Sequence, residues 1–140
     1  MVFLDNKENS KRCALRGLAI FPVYIILTLG WFLLTKNTLY AKHIDKVSIP
    51  RILIALFVTG TLIVSAIGVQ VPNTVYKAVI YGALVGFVVY GVSNAVLLAT
   101  SKKWGYVVSL IDTAWGVIST ALLGYILYKI VEKWPDIFKA

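Results

Sequence analysis

The chain has 140 residues, of which 59% are hydrophobic and only 14% charged, and its formal net charge is +8. Soluble domains carry about 25% charged residues, and a soluble fold of this length could not hide so much apolar surface. In a soluble protein the basic excess would point to nucleic acid. Here the cations sit beside long apolar runs, so anionic lipid head groups at the basic loops are the expected acidic partner, and nucleic acid is excluded.

Residues 1–14 form a polar tail containing Asp5, Asn6, Lys7, Glu8, Lys11 and Arg12. Four apolar runs follow, at roughly 17–35, 52–69, 75–99 and 106–131. A bilayer core needs about 20 apolar residues per helix, and each run meets or nearly meets that length. Within one segment only a helix can satisfy its own backbone hydrogen bonds in lipid. A β-barrel would need alternating segments of about 10 residues, and these runs do not alternate. The expected fold is therefore all-α, an antiparallel four-helix bundle integral to a membrane, over residues 15–134. A short C-terminal tail, 135–140, completes it.

The first run is longer than the ~7–15-residue core of a signal peptide and reads as a retained span. Pro22 falls in its second turn and should bend it slightly. Trp31 and Tyr40 lie toward its far end, consistent with an interfacial aromatic belt. The connection 36–49 is the longest and is basic. Ser48 and Pro50 are a helix-start signal for the second span. Gly68, Pro72 and Asn73 end that span, and Asn73 or Thr74 can cap the third. The short links predict that spans two and three, and then three and four, are antiparallel neighbours. Trp104, Tyr128 and Trp134 add interface anchors. Lys and Arg number eight on the side of the two termini and six on the other. The positive-inside rule then favours both termini in the cytoplasm.

On helical wheels, small residues gather on single faces. Gly82, Gly86 and Ser93 share a face of span three. Asp112, Gly116 and Ser119 share one of span four, and Thr61, Ser65 and Gly68 one of span two. Such stripes allow close approach of membrane helices, so Gly82, Gly86, Ser93, Gly116 and Ser119 are the expected packing positions.

Depth adds a second pattern. Asp112 is the one carboxylate inside the apolar runs and lies six residues after Tyr106; Asn94 lies six before Thr100. Thr28 lies seven before Thr35, and Thr59 seven after Ile52. At about 1.5 Å per residue all four fall roughly 10 Å below one membrane face. This predicts a buried polar layer of Asp112, Asn94, Thr28 and Thr59, with Asp112 paired to Asn94. An ionised Asp in mid-span costs about 2.5–3.5 kcal/mol on insertion scales, which an inward, hydrogen-bonded position lowers.

Catalytic apparatus is not in view. The single Cys13 allows no internal disulfide, and the single His43 sits in a polar loop without neighbouring ligand types. No catalytic residue, cofactor or metal site is expected, and one carboxylate argues against an enzyme.

The stretch from Tyr90 through Asn94 and Ala99 to Thr100, then Trp104, then Asp112, Ala114, Trp115 and Gly116, resembles a family signature. It is similar to the predicted membrane proteins called domain of unknown function 2177, mainly over residues 82–123. The resemblance implies a small four-span fold with a cluster of carboxylates at one depth. This chain departs from it: Asn94 and Thr28 stand where the family has Asp, and Val96 and Leu97 replace a Thr-Asn pair. Asp112 is the carboxylate it keeps.

Two functions follow as expectations. The first is a structural or interaction subunit in a membrane assembly, beside other subunits or further copies of itself. The alternative is a transporter of protons, cations or a small lipophilic molecule, acting as an oligomer.

Overall fold

The computed structural model describes residues 7–43, 48–70 and 73–138. The first six residues of the polar tail, Lys46, Pro72 and Lys139 lie outside them. The described residues form five helices: α1 (Lys7–Thr35), α2 (Ile49–Val69), α3 (Val75–Thr100), α4 (Tyr106–Lys133) and a short α5 (Pro135–Phe138). The first four are long and apolar enough to cross a membrane.

Two boundaries differ from the sequence reading. α1 begins at Lys7, so most of the expected tail is helix. Its 29 residues span about 43 Å, more than the ~30 Å of a hydrocarbon core, and its polar first turns extend beyond the apolar stretch. The expected C-terminal tail contains α5, opened by Pro135 at a position where a missing N–H costs nothing. α1 continues through Pro22. Pro50 sits in the first turn of α2, while the Ser48 hydroxyl makes no cap bond. Thr74 caps α3, accepting from the Lys77 N–H at 3.3 Å.

The helices pack as two antiparallel pairs. α3 lies chiefly on α4 and α2 on α1, with α2 and α3 only lightly joined. The expected α2–α3 hairpin is thus a neighbour mainly near its turn, where the Tyr81 hydroxyl donates to the Ala66 carbonyl at 3.0 Å. The reason is where the small residues point. On α3, Ala78, Gly82, Gly86 and Asn94 are buried; on α4, Gly116, Thr120 and Gly124 are. A Cβ on Gly82 would sit 3.0 Å from the Thr120 carbonyl carbon, and one on Gly124 3.2 Å from that of Ala78. The two backbones touch, so any side chain there forces them apart.

This seam steps by four residues. Four residues turn a helix by about 400°, so the contact line drifts around α3 from Gly82 toward Asn94. Ser93 is left outside it. Its side chain is exposed and donates to the Val89 carbonyl of its own helix at 2.8 Å. Ser93 is therefore not a packing position, whereas Gly82, Gly86, Gly116 and Ser119 are all buried. A similar correction applies to α2. Thr61 and Ser65 are exposed, and the inward face is Gly60, Ile63, Val64, Ile67 and Gly68.

Ile20 and Tyr24 of α1, Ile63, Val64 and Ile67 of α2, and Leu123, Leu127 and Val131 of α4 close the core. The outward side chains include Ile26, Leu34, Phe57, Phe87, Leu110 and Ile118, all more than half exposed. Water would not tolerate that surface; acyl chains require it.

Candidate functional site

Asp112 stands in the second turn of α4, near the end of the bundle that carries the α1–α2 and α3–α4 connections. Both carboxylate oxygens are engaged. The Tyr40 hydroxyl donates to Oδ1, and Asn94 Nδ2 donates to Oδ2 at 2.8 Å. Each donor is held in turn. Tyr40 is buried and accepts from Trp31 Nε1 at 3.0 Å. Asn94, only 3% exposed, also places Nδ2 2.9 Å from the Tyr90 carbonyl and 3.2 Å from Thr113 Oγ1. Its Oδ1 accepts from Trp104 Nε1 at 3.0 Å.

Aromatic rings enclose this network. Tyr40 stacks on Trp104 with centroids 6.0 Å apart, and lies 6.2 Å from Phe32. Trp31 stacks face to face on Trp115 at 4.5 Å. His43 meets Trp104 edge-on and its Nδ1 contacts the Lys103 carbonyl, so the α1–α2 connection is fastened onto the α3–α4 turn. Burial, then the Asp112 hydrogen bond and charge, hold the Tyr40 phenol well above the usual tyrosine range. Tyr40 therefore stays a donor across physiological pH. Among the described residues Asp112 forms no ion pair with Lys or Arg, and its donors are neutral. Trp115 Nε1 is the one buried side-chain donor there without a partner.

Of the expected layer, the structure brings Asp112 and Asn94 together and leaves out the two threonines. Thr28 is half-buried on α1 and is not among the donors to Asp112, and Thr59 is half-buried on α2, which scarcely meets α4. Tyr40 and Trp31 fill the places assigned to them. Trp104 joins them through its Nε1. Depth was the missed signal. Trp31 follows Thr28 by one turn, and Trp115 follows Asp112 by one turn, so both lie near the predicted layer.

At the opposite end Arg16 is buried rather than turned to head groups. Its Nε donates to the Phe138 carbonyl at 2.6 Å, and a terminal nitrogen to the Gly68 carbonyl at 3.3 Å. Both carbonyls lie in the last turns of helices, where no backbone donor remains for them. Among the described residues no group of three His, Cys, Asp or Glu gathers to hold a metal ion.

The family described as predicted membrane protein, DUF2177, matches residues 14–128. The chain belongs to this family. The match takes in Asp112, Asn94, Tyr40 and both stacked tryptophans, and reaches well beyond the 82–123 stretch that carries the resemblance in the sequence. Neither the curated proteins nor the solved structures contain a match. This DUF2177 member is a small multi-pass membrane protein built on four apolar helices.

Proposed function

We propose that this protein is a non-catalytic structural or interaction subunit of a larger membrane assembly, with both termini on the cytoplasmic side. The observation that carries the reading is the closed α3·α4 seam beside open lateral grooves. Backbone meets backbone along Gly82, Gly86, Gly116 and Gly124, which leaves little room for a path between those helices. The α1·α2 side instead presents two grooves of about 480 and 450 Å³ to the outside. The first is lined by Phe21, Ile25, Leu29 and Phe57, the second by Cys13, Gly17, Thr61 and Ser65 among others. Small and hydroxyl side chains on a lipid-facing surface suit the approach of another membrane helix. Native mass spectrometry of the protein extracted from its source membrane tests this. Further subunits or copies in stable proportion are expected; a partner-free monomer in every mild detergent overturns it.

A second reading, transport of a cation or proton by an oligomer, is favoured by one observation: Asp112 is an inward carboxylate without a cationic partner among the described residues. Flux into liposomes that falls on Asp112→Asn would support it, and no flux at any pH would remove it.

A further inference from the structure

We infer that the aromatic shell around Asp112 is a binding site for an organic cation, and that Tyr40 closes it as an internal stand-in for that ligand. The inference goes beyond the subunit reading and does not depend on it.

The chemistry of the lining selects the ligand class. With Tyr40 set aside, one carboxylate faces the rings that Tyr40 touches, Trp31, Phe32 and Trp104, with the Trp31–Trp115 stack behind them. A hard metal ion needs several oxygen ligands at once. Here the Asn94 amide oxygen is already taken by Trp104, and among the described residues no group of three His, Cys, Asp or Glu gathers to hold a metal ion. A quaternary ammonium or phosphonium ion needs no hydrogen-bond acceptors. Its diffuse charge is stabilised by ring faces and by one counter-charge, and tryptophan is the best of the ring partners.

Tyr40 occupies the position such a ligand would take. Its ring covers a face of Trp104 and lies beside Phe32, and its hydroxyl covers one oxygen of Asp112. Every other member of the site stands on a transmembrane helix or on the tight α3–α4 turn. Tyr40 alone comes from the α1–α2 connection, where residues 36–43 are built of turns. That segment is fastened at its far side by His43 on the Lys103 carbonyl. Removing the Tyr40 side chain uncovers a face of Trp104, a carboxylate oxygen of Asp112 and the Trp31 N–H.

The test is titration of the purified full-length protein in detergent with tetraphenylphosphonium, followed by tryptophan fluorescence and calorimetry. Tyr40→Ala should bind at least about tenfold more tightly than the wild type. Adding Asp112→Asn to Tyr40→Ala should cost at least about tenfold. Equal binding by Tyr40→Ala with and without Asp112→Asn overturns the proposal, because that pattern is partition into apolar grooves or micelle. Tyr40→Ala no tighter than wild type also overturns it. Should Tyr40→Ala fail to fold, the wild type is compared with Asp112→Asn alone. A loss of about tenfold sustains the site; unchanged binding, or none to the wild type, overturns it.

Discussion

The two ends of the bundle each draw one ionisable side chain into the fold, and they satisfy it by opposite means. At one end Asp112 receives its hydrogen bonds from side chains, Tyr40 and Asn94. At the other Arg16 gives its hydrogen bonds to backbone, the carbonyls of Gly68 and Phe138. The asymmetry follows from helix geometry. Past its first turn a helix has no spare N–H to offer an anion, so a buried carboxylate must recruit tyrosine, tryptophan or amide donors. Every helix C-terminus has spare carbonyls, so a buried cation needs only to reach one. The anion site therefore consumes specific residues from α1, α3, α4 and a loop. The cation site consumes only positions.

The largest effect is expected from Asp112→Leu. It leaves the Tyr40 hydroxyl without an acceptor and takes from Asn94 Nδ2 one of its three, for a loss of about 3 kcal/mol in a reversible detergent-unfolding titration. A loss below about 0.5 kcal/mol would mean that the donors find other partners and the shell is not built around the carboxylate. Arg16→Met should cost about 2 kcal/mol by orphaning two carbonyls, one of them in α5. Its signature is local: the segment after Trp134 should become open to protease while α3 and α4 keep their hydrogen-exchange protection. Uniform loss of protection would make Arg16 part of the global core and erase the contrast between the two ends.

Tyr40→Phe keeps the ring stack and removes one donor, so about 1 kcal/mol is expected. It carries a pH test as well. The phenol of the folded protein is raised above its unfolded value of about 10. Its contribution is thus fully present below that pH and is lost as pH rises further. Wild-type stability should fall above pH of about 10 more steeply than that of Tyr40→Phe; parallel curves would remove Tyr40 from the account. The smallest effect is expected from Ser93→Ala, within about 0.5 kcal/mol, because that hydroxyl faces outward and bonds its own helix. A larger change would restore Ser93 to the packing seam.

What composition and run length determined was the solvent. Four apolar runs with one interior carboxylate require lipid outside and helices within, and that requirement acts on each segment alone. Depth could be counted along the chain too, so Asp112 and Asn94 were placed at one level, and they meet there. Azimuth could not be counted. A straight wheel put Ser93 beside Gly82, but the α3·α4 contact line steps by four and drifts around the helix to Asn94. Thr59 was at the right depth on a helix that packs on α1 rather than α4. Tyr40 lies outside every periodic segment, so only the path of the α1–α2 connection could carry its hydroxyl to Asp112. Arg16 looked like a flanking cation because its acceptors are backbone carbonyls, which every residue possesses and no sequence pattern marks. Local hydropathy thus decided which segments enter the membrane. The tertiary structure alone decided which sides of them touch, because a helix's rotation about its own axis is set by its neighbours and not by its own hydrogen bonds.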